Sequence, residues 1–389
     1  GASPAEQWPS WRGPTDDGVA VDEANPPTEW SETKNIKWKV ALPGHSSSTP
    51  IVWGDKLFIQ TAVPADGSEN ALRHRGDFNF NVVCYNRNTG EIMWEATAAT
   101  LTPHEGHHPT GSHASYSPVT DGERLWASFG SRGLHCFDLD GNKLWSRDLI
   151  EMRMRRAFGE GSSPAIAGDA IIVQMDHEGD SKIFAFNKLT GETIWEANRN
   201  EISSWSTPLA VEHDGKIQVI TTATDKIRSY DAETGEVIWE CEGLTANAIP
   251  TPIAGFGNVY CTSGFRGYAM RAIELGHTGD LTGTSAIKWE VDKGTPYVPS
   301  PLLYGDRLYV TSDNRAIMSC YDAKTGEAIF TDQDLEGLRQ LYASPVGAAG
   351  RIYIADRSGN TLVIKKADQI ETIALNSLDD TFDASPVVI

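Results

Sequence analysis

The ten residues Tyr230-Asp231-Ala232-Glu233-Thr234-Gly235-Glu236-Val237-Ile238-Trp239 decide how this chain is read. An aromatic closes a short strand, Asp231 can accept turn amide hydrogens, Thr234-Gly235 offers a residue able to take positive φ, and Trp239 enters the next strand. The same block runs from Phe186 to Trp195, with Asn187 at the Asp place, and from Tyr321 to Phe330. Trp38, Trp94, Trp145 and Trp289 fill its aromatic slot elsewhere, so the block is one part of a repeat.

Outward from it, each repeat opens with a small residue and a proline before an apolar run: Thr49-Pro50, Ser117-Pro118, Ser163-Pro164, Thr207-Pro208, Thr251-Pro252, Ser300-Pro301, Ser344-Pro345 and Ser385-Pro386. Successive prolines lie 68, 46, 44, 44, 49, 44 and 41 residues apart, the length of one four-stranded propeller blade, with an insertion in the first interval. Proline lacks a ladder donor and suits the start of an edge strand, which the innermost strand of a blade is. The expected fold is therefore all-β: an eight-bladed β-propeller of four-stranded antiparallel blades. Seven blocks are complete, while Ile36-Lys37-Trp38 has the signature of an outer strand and Ser385-Pro386 that of an inner one. The N- and C-terminal segments are expected to close the ring in a shared eighth blade, with residues 1–35 packing on a single propeller domain spanning 36–389.

Composition limits the function. Of 389 residues, 53 are acidic and 33 basic, a net charge of −20, which excludes a nucleic-acid footprint. No run approaches the 18 or so apolar residues of a membrane span. The chain starts at Gly1 rather than Met, and a signal segment is expected to have been removed ahead of it, which implies a periplasmic or secreted protein.

The aromatic-Asp-x-x-Thr-Gly-Glu-x-x-Trp block resembles the tryptophan-docking repeat of the pyrroloquinoline quinone (PQQ) dehydrogenase-like β-propellers. In size the chain is closest to the periplasmic propeller of the outer-membrane-protein assembly machine. For a dehydrogenase the resemblance implies PQQ on an adjacent Cys-Cys disulfide, calcium held by Glu, Asn and Asp, and an Asp base. The five cysteines, Cys84, Cys136, Cys241, Cys261 and Cys320, are scattered. Three of them share one slot, before Tyr85, Phe137 and Tyr321, that Ala185 and Ser229 fill elsewhere, and they read as small strand residues. Cys241 and Cys261 are open to pairing.

Four histidines gather in Pro103-His104-Glu105-Gly106-His107-His108-Pro109 and His113, a loop that reads as solvated, with zinc or copper as the alternative. Asp176-His177-Glu178-Gly179-Asp180 reads as a solvated turn, with calcium as the alternative. Arg73-His74-Arg75 lies in the first insertion and reads as surface charge or a local anion contact, and Gly276 to Ser285 reads as a long hairpin loop. Equal offsets from the prolines are expected to place side chains on one rim, His45, His113 and Asn247 among them, and nearby offsets add Trp205, Tyr297 and Tyr342, giving six ligand-lining candidates. No catalytic residue, metal or cofactor is assigned, and PQQ with calcium is disfavoured. The expectation is a non-catalytic extracytoplasmic scaffold that binds a protein, peptide, glycan or other polymer within an envelope complex; the alternative is a PQQ-dependent dehydrogenase acting on an alcohol or sugar.

Overall fold

The computed structural model describes residues 1–109, 111–312 and 315–389. Among these the fold is all-β, apart from three single-turn helices at Pro4–Glu6, Gly130–Arg132 and Arg155–Ala157. Seven sheets follow one another, each built on four antiparallel strands in chain order. Contacts gather into two compact units, residues 1–11 with 37–203 and residues 12–36 with 204–389. The first unit carries three sheets and the second four.

Local chemistry sets the repeat. In all seven sheets the first strand begins one residue after the proline, from Ile51–Trp53 through Val346–Ala348. The residue before the proline ties neighbouring sheets together. In the first unit the Thr49 N–H donates to Ser117 Oγ and the Ser117 N–H to Ser163 Oγ, at 3.0 and 2.9 Å. In the second, Thr251, Ser300 and Ser344 donate in the same way to Ser300, Ser344 and Ser385, at 2.8 to 2.9 Å. A small hydroxyl at this slot is what makes the bond possible. The turn chemistry is as expected: Asp231 Oδ1 accepts the Glu233 and Thr234 amides, and Asp322 Oδ1 those of Lys324 and Thr325.

The cysteine slot also has a physical reason. Cys84 faces Trp94 across the third and fourth strands, Cys136 faces Trp145, Ala185 faces Trp195, Ser229 faces Trp239 and Cys320 faces Phe330. In each sheet the register shifts immediately after that residue. A small side chain leaves room for the aromatic at the bulge. The indole then reaches the following sheet of its own unit. Nε1 of Trp94, Trp145 and Trp289 donates to the carbonyls of Leu139, Lys188 and Ala323. A Cβ added to Gly141, Gly191 or Gly326 would lie 2.6, 2.6 or 2.5 Å from those rings. The glycine of each turn thus serves twice, through its positive φ and by letting the indole lie flat against the backbone.

Trp239 departs from this pattern. It is fully buried, and its Nε1 donates to Gln218 Oε1 within its own sheet. The insertion after Gly276, expected as a plain loop, contributes strand Gly279–Asp280, which pairs in parallel with Val237–Cys241. It pairs part of the outer edge of that sheet.

The terminal stretches carry no strand at 36–40 or 381–389. Residues of the N-terminal segment add to both units. Gln7–Trp8 pairs with Ile51–Trp53 in the first unit. In the second, Val19 bridges Gly347, and the Asn376 side chain brackets the Trp30 amide and the Thr28 carbonyl.

Candidate binding site

In the first sheet, strands Lys56–Pro64 and Phe78–Asn86 are nine residues long and the fourth, Ile92–Leu101, is ten, longer than their counterparts elsewhere. They lift the insertion 65–77 and the histidine loop 102–118 beyond the sheet on the same side. Asp77 joins the two: its Oδ1 accepts from Thr102 Oγ1 at 2.6 Å and its carbonyl bonds to the His74 ring at 3.0 Å. Between them lies a cavity of about 570 Å³. Leu72, His74, Arg75 and Phe78 line it from the insertion, and Pro103–His107, Pro109 and His113 from the loop.

Phe78, 2% exposed, organises the rings. His74 and His113 each meet it edge-on at 5.0 Å between centroids, and His107 meets His113 at 4.7 Å and 88°. The back of the loop leans on residues 152–159. The His104 ring bonds the Met152 carbonyl, Glu105 Oε2 accepts the Met154 amide at 3.1 Å, and the His108 amide donates to the Phe158 carbonyl at 2.8 Å. Beneath His113, Arg132 Nη2 donates to its carbonyl at 3.0 Å, and Arg132 pairs with buried Glu160 at 2.8 Å. Tyr116 and Ser131 also donate to Glu160. Burial, reinforced by nearby Arg132, His107, Arg75 and His104, pushes the His113 pKa down to about 3, so this imidazole is neutral near pH 7. The cavity presents rings, imidazole nitrogens, one guanidinium and the Glu105 carboxylate. Among the described residues its lining includes no hydroxyl or thiol nucleophile.

The six rim candidates divide between the units. His45 and His113 belong to the first; Trp205, Asn247, Tyr297 and Tyr342 belong to the second. Of the six, His113 lines the cavity. His45 is held by its backbone, exchanging two 3.1 Å hydrogen bonds with Ala62. Two residues past it, the Ser47 amide donates to the Ala114 carbonyl at 3.1 Å, and the same offsets recur where the Trp205 amide meets the Ala248 carbonyl at 2.9 Å. Asn247 is 2% exposed with φ +58°, a backbone position in the left-handed region. Tyr297 stacks on Phe265 at 4.9 Å, and the Arg357 guanidinium lies 4.3 Å over the Tyr342 ring.

Two sequence expectations change. The histidine loop is not simply solvated, because it folds onto the insertion and walls a cavity; the lone long interval of 68 residues was the signal joining them. The 176–180 turn is solvated only in part: Glu178 and Asp180 are exposed, while Asp176 and His177 are buried. Asp176 and Arg199 form a fully buried pair at 2.6 Å, and Gln174 donates to the same carboxylate. The His177 Nδ1 accepts the Arg153 and Gly179 amides, which assigns the proton to Nε2, facing the Asp180 carbonyl. Glu178 caps Ser203. The Asp176 and Glu178 carboxylates thus tie this turn to Arg199 and Ser203.

The donor set implied for a quinone site can be tested on these residues. All five cysteines are free thiols buried in five separate strands, and burial holds those of Cys84, Cys136 and Cys320 up at about 12. Cys241 and Cys261 share one apolar cluster without a disulfide. Among the described residues no group of three or more His, Cys, Asp or Glu side chains is disposed to hold a metal. No two cysteines are adjacent in the sequence, so these residues do not supply the adjacent Cys-Cys disulfide of the dehydrogenases.

Solved structures share this fold. BamB from Moraxella catarrhalis superposes with a TM-score of 0.58 at 18% identity, over 79% of this chain and 83% of that one. A europium-containing methanol dehydrogenase gives 0.64 at 10% identity, over 97% and 87%. The quinohemoprotein alcohol dehydrogenase from Comamonas testosteroni gives 0.65 at 9%, over 99% and 75%. At these identities the likeness establishes a propeller-like fold. No curated protein matches the sequence. A family model described as outer membrane protein assembly factor BamB matches residues 79–332 and 179–377. With most of its length so matched, the chain belongs to this family of PQQ-like β-propellers.

Proposed function

We propose that this chain is a non-catalytic extracytoplasmic scaffold, periplasmic or secreted, that binds a protein, peptide or polymer in an envelope complex and takes no PQQ. The observation that carries the reading is the fate of its chemistry-bearing side chains. Glu160 is spent on Arg132, Tyr116 and Ser131, Asp176 on Arg199 and Gln174, and each cysteine is alone in its strand. Membership of a family described by an assembly factor supports the same conclusion.

The eight-bladed count belongs to this proposal. Ser385 accepts from Ser344 as Ser300 accepts from Thr251 and Ser344 from Ser300, which supports reading it as the slot that opens one more blade. Trp38 bonds the Arg87 carbonyl and covers Gly90 as the other indoles cover their turns, the place of an outer strand ahead of the first sheet.

The test is incubation with PQQ and calcium, desalting, an absorption spectrum, and an assay on primary alcohols and aldose sugars with an artificial electron acceptor. Neither retained quinone nor turnover is expected. Turnover on the order of 1 per second or faster would overturn the reading.

A further inference from the structure

The charges that line the first unit's cavity cancel. Arg75 and Glu105 supply one of each sign, His74 faces Asp66 at 3.8 Å, and His113 is held neutral by burial. An anion would meet Glu105 and a cation Arg75, so the lining favours a ligand without net charge. Its hydrogen-bonding groups are mostly acceptors, and the surrounding backbone fixes them so. The His104 ring bonds the Met152 carbonyl through Nε2, and the His107 ring bonds the His108 carbonyl through Nδ1 at 2.8 Å. A carbonyl only accepts, so each of these nitrogens carries the proton. In the neutral ring the other nitrogen, Nδ1 of His104 and Nε2 of His107, is then an acceptor. Glu105 spends Oε2 on the Met154 amide and leaves Oε1 without a partner among the described residues. Arg75 brings N–H donors, and Leu72, Pro103 and Pro109 add apolar wall. The segment behind the loop is held in a costly shape. Arg156 and Ala157 both have φ +51°, and Gly159, at φ +92°, comes so near that an added Cβ would lie 3.0 Å from the His107 Cβ. Backbone strain of this kind gathers at ligand sites.

We propose that this cavity binds a neutral saccharide, one or two rings of an uncharged glycan. Hydroxyls would donate to Glu105 Oε1 and to the lone pairs of His104 and His107 and accept from Arg75, with the apolar C–H face of a ring against Leu72 and Pro109. Each hydroxyl both donates and accepts, and a sugar ring carries several on one small frame, whereas an uncharged peptide side chain brings one hydroxyl or amide. The volume of about 570 Å³ falls within the range of about 300–1,000 Å³ for small-molecule sites. The proposal rests on the scaffold reading and names the polymer it would hold.

The experiment is saturation-transfer NMR of the whole chain with maltotriose, cellotriose and triacetylchitotriose, all uncharged, against trigalacturonate and deacetylated chitotriose, which carry negative and positive charge. Expected is transfer to at least one neutral trisaccharide, with affinity for both charged sugars lower by about tenfold or more. Glu105→Gln keeps an oxygen for the Met154 amide and leaves Arg75 unopposed, so preference should swing toward trigalacturonate. Arg75→Gln leaves Glu105 unopposed and should swing it toward deacetylated chitotriose. Opposite swings cannot come from unfolding, and Lys216→Gln, a charge change at an exposed site of the other unit, should produce neither. Four results would each overturn the proposal: transfer to none of the neutral sugars, charged sugars bound as tightly as neutral ones, no opposite swings in the two variants, or displacement of the bound sugar by leucine, a zwitterion with the same charge balance, at a concentration below that of the sugar itself. Quinone retention with turnover would instead remove the scaffold reading and leave the NMR result standing.

Discussion

Replacing Gly326 by Ala isolates the contact on which the repeat depends. The residue has φ +75°, and an added Cβ would lie 2.5 Å from Cγ and 2.6 Å from Cδ2 of Trp289. Gly257, in the same unit, has φ +76° with nothing within 4 Å of its virtual Cβ. Both substitutions place an L residue in the left-handed region, at about 1–2 kcal/mol each. Both also reduce the freedom of the unfolded chain equally, so that term cancels. Only Gly326→Ala must displace an indole that is 9% exposed and held by the Ala323 carbonyl, an overpacking cost of about 1–3 kcal/mol. The expected totals are about 1–2 kcal/mol for Gly257→Ala and about 2–5 kcal/mol for Gly326→Ala. Urea unfolding followed by far-ultraviolet circular dichroism measures both in the same unit. In a Trp289→Ala background the excess should vanish, because the colliding ring is gone. Costs for the two glycines that agree within about 0.5 kcal/mol, the margin of ordinary additivity, would refute the reasoning.

Two further outcomes follow from buried charge. Asp176→Asn should cost about 3–5 kcal/mol in the same unfolding assay by leaving Arg199 buried without its counter-ion, while Asp176→Leu with Arg199→Met should cost far less; equal losses would show that the pair is solvated. His135 is held neutral by burial, its pKa pushed down to about 4 from an ordinary 6.5. Because the unfolded chain takes up this proton first, its contribution is constant above pH 6.5, and stability falls as pH drops from there toward 4. His135→Gln should flatten the stability profile between pH 6.5 and 4.5, and an unchanged slope would mean that the imidazole titrates normally.

Much of the fold was legible in the sequence because its rules are local. A proline missing its donor, an Asp ahead of Thr-Gly and an aromatic nine residues after the last are all read within one hairpin, and their recurrence every 44 residues or so gives the blade and its order. Three of the five scattered cysteines, Cys84, Cys136 and Cys320, fell into a slot that local register explains, opposite the aromatic at the bulge. What only the tertiary structure decided lies where the repeat is broken. Arg75 and His107 are 32 positions apart with no period relating them, and they share a cavity because lengthened strands carry both loops to one side. The carboxylates of 176–180 look like any acidic turn until Arg199, two strands away, is seen to bury with Asp176. Periodicity encodes hydrogen-bonded neighbours along a ladder. Charge pairing and loop packing depend on which non-repeating side chains arrive at the same place, and no spacing in the sequence records that.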